Sequence, residues 1–306
     1  MIATFFTKST PIHYVFAFIY LFGLFLAHLN SNVLIGAFSL FLLLASVLLA
    51  KFIISKNDLN KKNNYSLVAI CFFIGLFMQE VFIFDDILIA NIFLLLAIRK
   101  IYSIRNPINI NKKVFDASFW ILISSVFYTS TLYFFIILFT ALILYSHFNL
   151  KNLVVIISAI LSATIFLYLL EVISSGYINL VDFTTVLFFD IPTLDYISSF
   201  DENILNISWS IKTIVFFSFL ISLISIFIWN MFIKKNERRR TTTLIFLTTI
   251  LALIIFISNF NSTAFVFLFF PLIIIFTGCV EQARSKRVKN LVLSIGLLAP
   301  YLLILF

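Results

Sequence analysis

The sequence predicts an all-α fold, a polytopic helical membrane bundle of about eleven transmembrane helices in one domain spanning residues 1–306. Three observations predict it. The 306 residues are 62% hydrophobic and 11% charged, against roughly 25% charged in a soluble domain, and the mean hydropathy is +1.15. The apolar residues come in runs of about 17 to 25, the length that crosses a hydrocarbon core. Alternating ten-residue segments of the kind that build an outer-membrane barrel are absent from the sequence.

Apolar runs between polar breaks place the helices at 11–29, 33–54, 66–84, 86–101, 114–129, 131–146, 153–174, 207–232, 241–259, 263–280 and 290–306. The first begins with Ser9 or Thr10 as cap and Pro11 at the first helical position, where its missing N–H is not needed. A continuous helix over 114–146 would be close to 50 Å long at about 1.5 Å per residue, too long for a bilayer core. A tight hairpin at Thr129-Ser130-Thr131 divides it. The run beginning at Asp86 is short, so the stems of Arg99 and Lys100 are expected to snorkel to the interface. The stretch 175–206 reads as an acidic outer loop, and Phe183, Val186 and Leu187 on one helical face suggest an interfacial helix at 181–190. Pro271 and Pro300 are expected to kink the last two helices.

Orientation follows from the basic residues, which collect on the cytoplasmic side of such proteins. Lys8, Lys51, Lys56, Lys61 and Lys62, the Arg99–Lys113 group, Lys151, the run Lys234 to Arg240 and the group Arg284 to Lys289 all fall on the side where the chain begins. Of 21 basic residues only Lys212 falls on the other side, where nine of the 13 acidic residues lie on or near. The N-terminus is therefore expected in the cytoplasm and the C-terminus in the periplasm, in a multi-pass protein of the bacterial inner membrane. The net charge of +8 reads as a topology signal and not as a nucleic-acid footprint.

Candidate chemistry rests on ionisable groups at membrane depth, which are costly to bury unless paired or hydrated. Asp86 and Glu80 are the candidate catalytic residues, and Asp85, Glu171 and Lys212 candidate binding residues; convergence of the four carboxylates on an outward-facing vestibule is the expectation that would join them. Neighbouring carboxylates hold protons above their ordinary range, which suits acid–base work or cation binding. The bland alternatives are interfacial carboxylates in water, turn residues at Asp85 and Asp86, and a snorkelling Lys212. Cys71, Cys279, His13, His28 and His147 lack metal-ligand spacing. No metal or cofactor is called for. Trp120 is expected to pack, and Gln79, Asn91 and Asn230 to hydrogen-bond between helices. Six glycines and five prolines are few for a channel or a transporter with unwound helices.

The opening MIATFFTKSTPIHYVFAFIY, with NIFLLLAIRKIYSI and KVFDASFWILISSVFYTSTLYFF, resembles a family of integral membrane proteins of Bacteroidota that start with the phrase MI..FF.KS.PI. That resemblance implies a multi-pass membrane protein and no particular activity. FDDILIANIFLLLAIRKIYSIRN is more weakly similar to multispanning glycosyltransferases that use polyprenyl-phosphate sugars, and Asp86, with Asp85, would take the acidic position there. Those enzymes carry a long first outer loop with a catalytic Asp. Here that loop is Asn30-Ser31-Asn32, and Lys212 is the one outer cation for a lipid phosphate.

Three readings follow. The first is an accessory, non-catalytic component of cell-envelope assembly, whose partners are the lipid bilayer and other envelope proteins. The second is a lipid-linked saccharide transferase acting on a polyprenyl-phosphate-linked sugar at the periplasmic face. The third is a proton- or cation-coupled transporter working through Glu80 or Glu171.

Overall fold

The computed structural model describes residues 2–7, 10–27, 33–61, 63–76, 84–173, 236–259, 262–283 and 285–305. The expected span 207–232, the acidic loop 175–206 and the interfacial helix at 181–190 lie outside them. Among the described residues the chain is all-helical, with no strand. The elements are α1 (Ile2–Phe6), α2 (Ile12–Ala27), α3 (Val33–Lys56), α4 (Tyr65–Leu76), α5 (Asp86–Ser103), α6 (Ile110–Phe127), α7 (Phe134–Leu144), α8 (Leu150–Ile173), α9 (Asn236–Asn259), α10 (Val266–Gln282) and α11 (Lys286–Leu305). Short 3₁₀ turns precede α7 (Thr129–Tyr133) and α10 (Ser262–Phe265). Among the described residues, four segments are long and apolar enough to cross a membrane: Leu34–Lys56, Leu150–Leu169, Arg239–Ile257 and Thr263–Gln282. Shorter apolar helices cover Ile12–Ala27, Tyr65–Leu76 and Thr129–Leu144.

Several boundaries have local causes. Pro11 opens the first turn before α2, and its carbonyl accepts from Tyr14 N–H at 3.0 Å. The Thr10 carbonyl accepts from His13 N–H at 3.3 Å, while the Thr10 hydroxyl sits against the His13 ring and not on the helix backbone. The break in 114–146 is real. α6 stops at Phe127, Tyr128 is extended (φ −153°, ψ 105°), and the 3₁₀ turn over Thr129–Tyr133 leads into α7, which packs on α6. α1 is an addition that no apolar periodicity announces.

The chain forms two compact units. The first contains α1–α4, the start of α5, most of α9, and α10 and α11. Its centre is α4, apolar all round and buried from Tyr65 to Gly75, with α2, α10 and α11 against it. A helix without a polar face must be enclosed or sit in lipid, and α4 is enclosed. Close approach to α11 depends on Gly75, where a Cβ would come within 2.5 Å of the Pro300 ring. α10 is equally enclosed, buried at 89% of its apolar window despite the internal Pro271.

The second unit contains the rest of α5 with α6, α7 and α8. α6 and α8 pack along their lengths, and Ser124 of α6 donates to the Ala90 carbonyl of α5 at 2.8 Å. Trp120 packs as expected, stacked on Phe93 at 5.7 Å and edge-on to Phe119 at 5.5 Å. The opposite face of α8 stays open, with Leu150, Val154, Ile157, Leu161, Ile165 and Tyr168 exposed. An apolar helix that is only 28% buried has the surface of a lipid-facing element.

Candidate functional site

The candidate residues divide sharply. Glu80 and Lys212 lie outside the described residues. Glu171 falls in the last turn of α8, and its side chain lies outside them too. Asp85 and Asp86 are described, side by side where α5 begins.

Asp85 caps the helix. One carboxylate oxygen accepts from Ile87 N–H at 3.3 Å, and its carbonyl accepts from Leu88 N–H at 3.0 Å. The other carboxylate oxygen accepts the Thr263 hydroxyl, from the turn that leads into α10. An N-cap carboxylate satisfies backbone donors that a helix leaves unpaired and faces the positive end of its dipole. Asp85 is therefore occupied in holding α5 to the start of α10. Asp86, the first helical residue, is exposed. Its charge also favours the helix N-terminus, which is a reason for an acid here that involves no ligand.

Sequence reasoning missed a buried polar cluster around the loop between α3 and α4, in the first unit. Lys51, one and a half turns inside α3, is 7% exposed. Its ammonium donates to the Asn63 carbonyl and the Ser66 hydroxyl, both at 2.8 Å. Asn64, fully buried, hydrogen-bonds the His13 ring at 2.8 Å, and its side-chain oxygen has no partner among the described residues. Glu281 of α10 accepts from Lys61 N–H at 2.9 Å and from the Asn63 amide at 2.7 Å. The Asn-rich run NDLNKKNNYS was the available signal, because side chains that hydrogen-bond backbone favour such loops.

In the second unit, Lys100 does not snorkel free. It pairs with Asp116 of α6 at 2.5 Å, both side chains about one third exposed. Lys113 donates to the carbonyls of Ser103 and Asn106 at 2.6 and 2.7 Å, closing the end of α5. Burial first, and then the charge of Lys100, holds the Lys113 ammonium below its ordinary range.

Chemically, these arrangements are caps and crosslinks. Among the described residues no group of three His, Cys, Asp or Glu side chains could hold a metal ion. Cys71 is buried, Cys279 is half-buried, and the two form no disulfide. No family model, curated protein or solved structure matches the chain.

Proposed function

We propose that the chain is a multi-pass protein of the bacterial inner membrane, with eleven spans and its N-terminus in the cytoplasm, serving as an accessory, non-catalytic component of cell-envelope assembly. The observation that carries this reading is the use of Asp85. Of the two described candidate carboxylates, the one turned inward is consumed by a helix cap and by Thr263. A general acid or base needs free hydrogen-bonding capacity toward substrate, and the neighbour that has it, Asp86, stands exposed at a helix start.

That exposure is also what favours the second reading, a transferase acting on a polyprenyl-phosphate-linked sugar with Asp86 and Glu80 as its acids. Complementation of a deletion strain separates the two. Glu80→Gln and Asp86→Asn, expressed singly at wild-type levels, should restore the envelope glycan profile in full if the role is accessory. A loss of product of tenfold or more from either substitution would establish the transferase reading in its place.

A further inference from the structure

An apolar cavity of about 680 Å³ opens between α1, α2 and α11 of the first unit, lined by Ile2, Thr4, Phe5, Phe6, Phe16 and Leu297. Its size falls in the range of ~300–1,000 Å³ common to small-molecule sites. Phe5 is 48% and Phe16 37% exposed, so the cavity is open along one side. It is a built feature and not a gap beside a loose terminus. Ala3 N–H donates to the Asn290 side-chain oxygen at 2.8 Å, the Tyr65 hydroxyl donates to the Ala3 carbonyl at 3.2 Å, and Asn64 N–H donates to the Phe6 carbonyl at 2.9 Å. Tyr20 ties α2 to α11 by donating its hydroxyl to the carbonyl of Leu297, one of the lining residues, at 2.8 Å.

The helix that supplies Leu297 also carries charge in register with it. Lys286 and Arg287 precede Asn290 by four and three residues, and Leu297 follows it by seven. These offsets put all four on one stripe of a helix, and the bond from Ala3 to Asn290 fixes that stripe beneath α1. Lys286 and Arg287 are exposed, and neither has an ion pair or side-chain hydrogen bond among the described residues. At ~1.5 Å per residue they stand about 15 Å along the axis from Leu297. A basic head site and an apolar slot one chain-length apart match an amphiphile with a negative head. Basic residues at the end of a membrane helix attract anionic headgroups by the same Coulomb term.

We infer that this face binds one anionic glycerophospholipid, its phosphate on Lys286 and Arg287 and one acyl chain in the slot lined by Phe5, Phe16 and Leu297. The inference rests on the membrane placement of the chain and is independent of the accessory role. A lipid held here would brace α1 and α2 against α11 where the described contacts leave the slot empty of side chains.

The test uses the full chain, purified in detergent and stripped of lipid, then titrated with phosphatidylglycerol or phosphatidylcholine of identical acyl chains and read by native mass spectrometry. The wild type should retain one phosphatidylglycerol with at least tenfold preference over phosphatidylcholine. Lys286→Gln with Arg287→Gln should abolish the preference, and Leu297→Trp, which fills the slot, should remove the bound lipid. The charge variant changes exposed side chains only, so it decides the matter if Leu297→Trp fails to fold. Equal retention of both lipids by the wild type, or an undiminished preference in the charge variant, overturns the site. Inorganic phosphate binding equally to the wild type and Leu297→Trp, with no lipid retained, overturns it as well. A chain that stays soluble without detergent and ignores vesicles of either lipid refutes the membrane placement itself.

Discussion

The two units each carry a lysine near the end of a long apolar helix, and they treat it in opposite ways. Lys51 in the first is buried and bonded to a backbone carbonyl and a hydroxyl, both neutral. Lys100 in the second keeps a third of its surface exposed and pairs with a carboxylate. Taking an ammonium out of water costs several kcal/mol unless its donors are matched, so Lys51 commits the loop that follows α3 to one conformation. A half-exposed ion pair commits little, because solvent and salt already serve both partners. The same residue type, read as one topology signal, is a structural pin in one unit and a surface contact in the other.

The largest effect that would test this contrast is at Lys51. Lys51→Ala leaves the buried Ser66 hydroxyl and the half-buried Asn63 carbonyl without their donor, and a buried group so left costs roughly 1–3 kcal/mol. Allowing for relaxation, a loss of about 3 kcal/mol is expected in denaturant unfolding of the detergent-solubilised chain. A loss under about 1 kcal/mol would mean that the buried lysine pins nothing.

Next comes the close contact at the centre of the first unit. Gly75→Ala drives a methyl into Pro300, and overpacking of this kind costs about 1–3 kcal/mol. Thermal unfolding of Gly75→Ala beside Gly296→Ala checks it, because a Cβ at Gly296 meets only ordinary contacts at 3.8 Å.

The smallest effect is at the exposed pair. Asp116→Ala should shift stability by about 0–1 kcal/mol, and less at high salt. A penalty near that of Lys51→Ala would erase the distinction between the units.

The all-helical class and most helix positions were legible because apolar run length and charge asymmetry are local signals. The break before Thr129 was legible too, since a helix over 114–146 outruns the bilayer and Thr and Ser are poor helix formers at its middle. α1 was not, because five residues carry no period and what holds them is Asn290, 287 residues away. The role of Asp85 was not legible: it read as a binding candidate or a turn residue, and its partner Thr263 lies 178 residues on. The burial of Lys51 was not legible, because a basic residue at a helix end reads the same in the sequence whether it is solvated or buried. No charge count separates the two cases. Ser124 was not legible either: its hydroxyl reaches the Ala90 carbonyl from a buried position.

On the proposed reading, Asp85 serves structure at the start of α5, and neither it nor Asp86 serves catalysis. Asp85→Ala removes a cap and an interelement bond, and such a change should cost about 1–2 kcal/mol. The decisive measurement is the envelope glycan yield per folded molecule in cells complemented with Asp85→Ala or Asp86→Ala, with unfolding followed in parallel. Asp85→Ala is expected to lose stability and Asp86→Ala is not, with the yield per folded molecule unchanged in both. Loss of glycan per folded molecule in either variant at wild-type stability would contradict that reading.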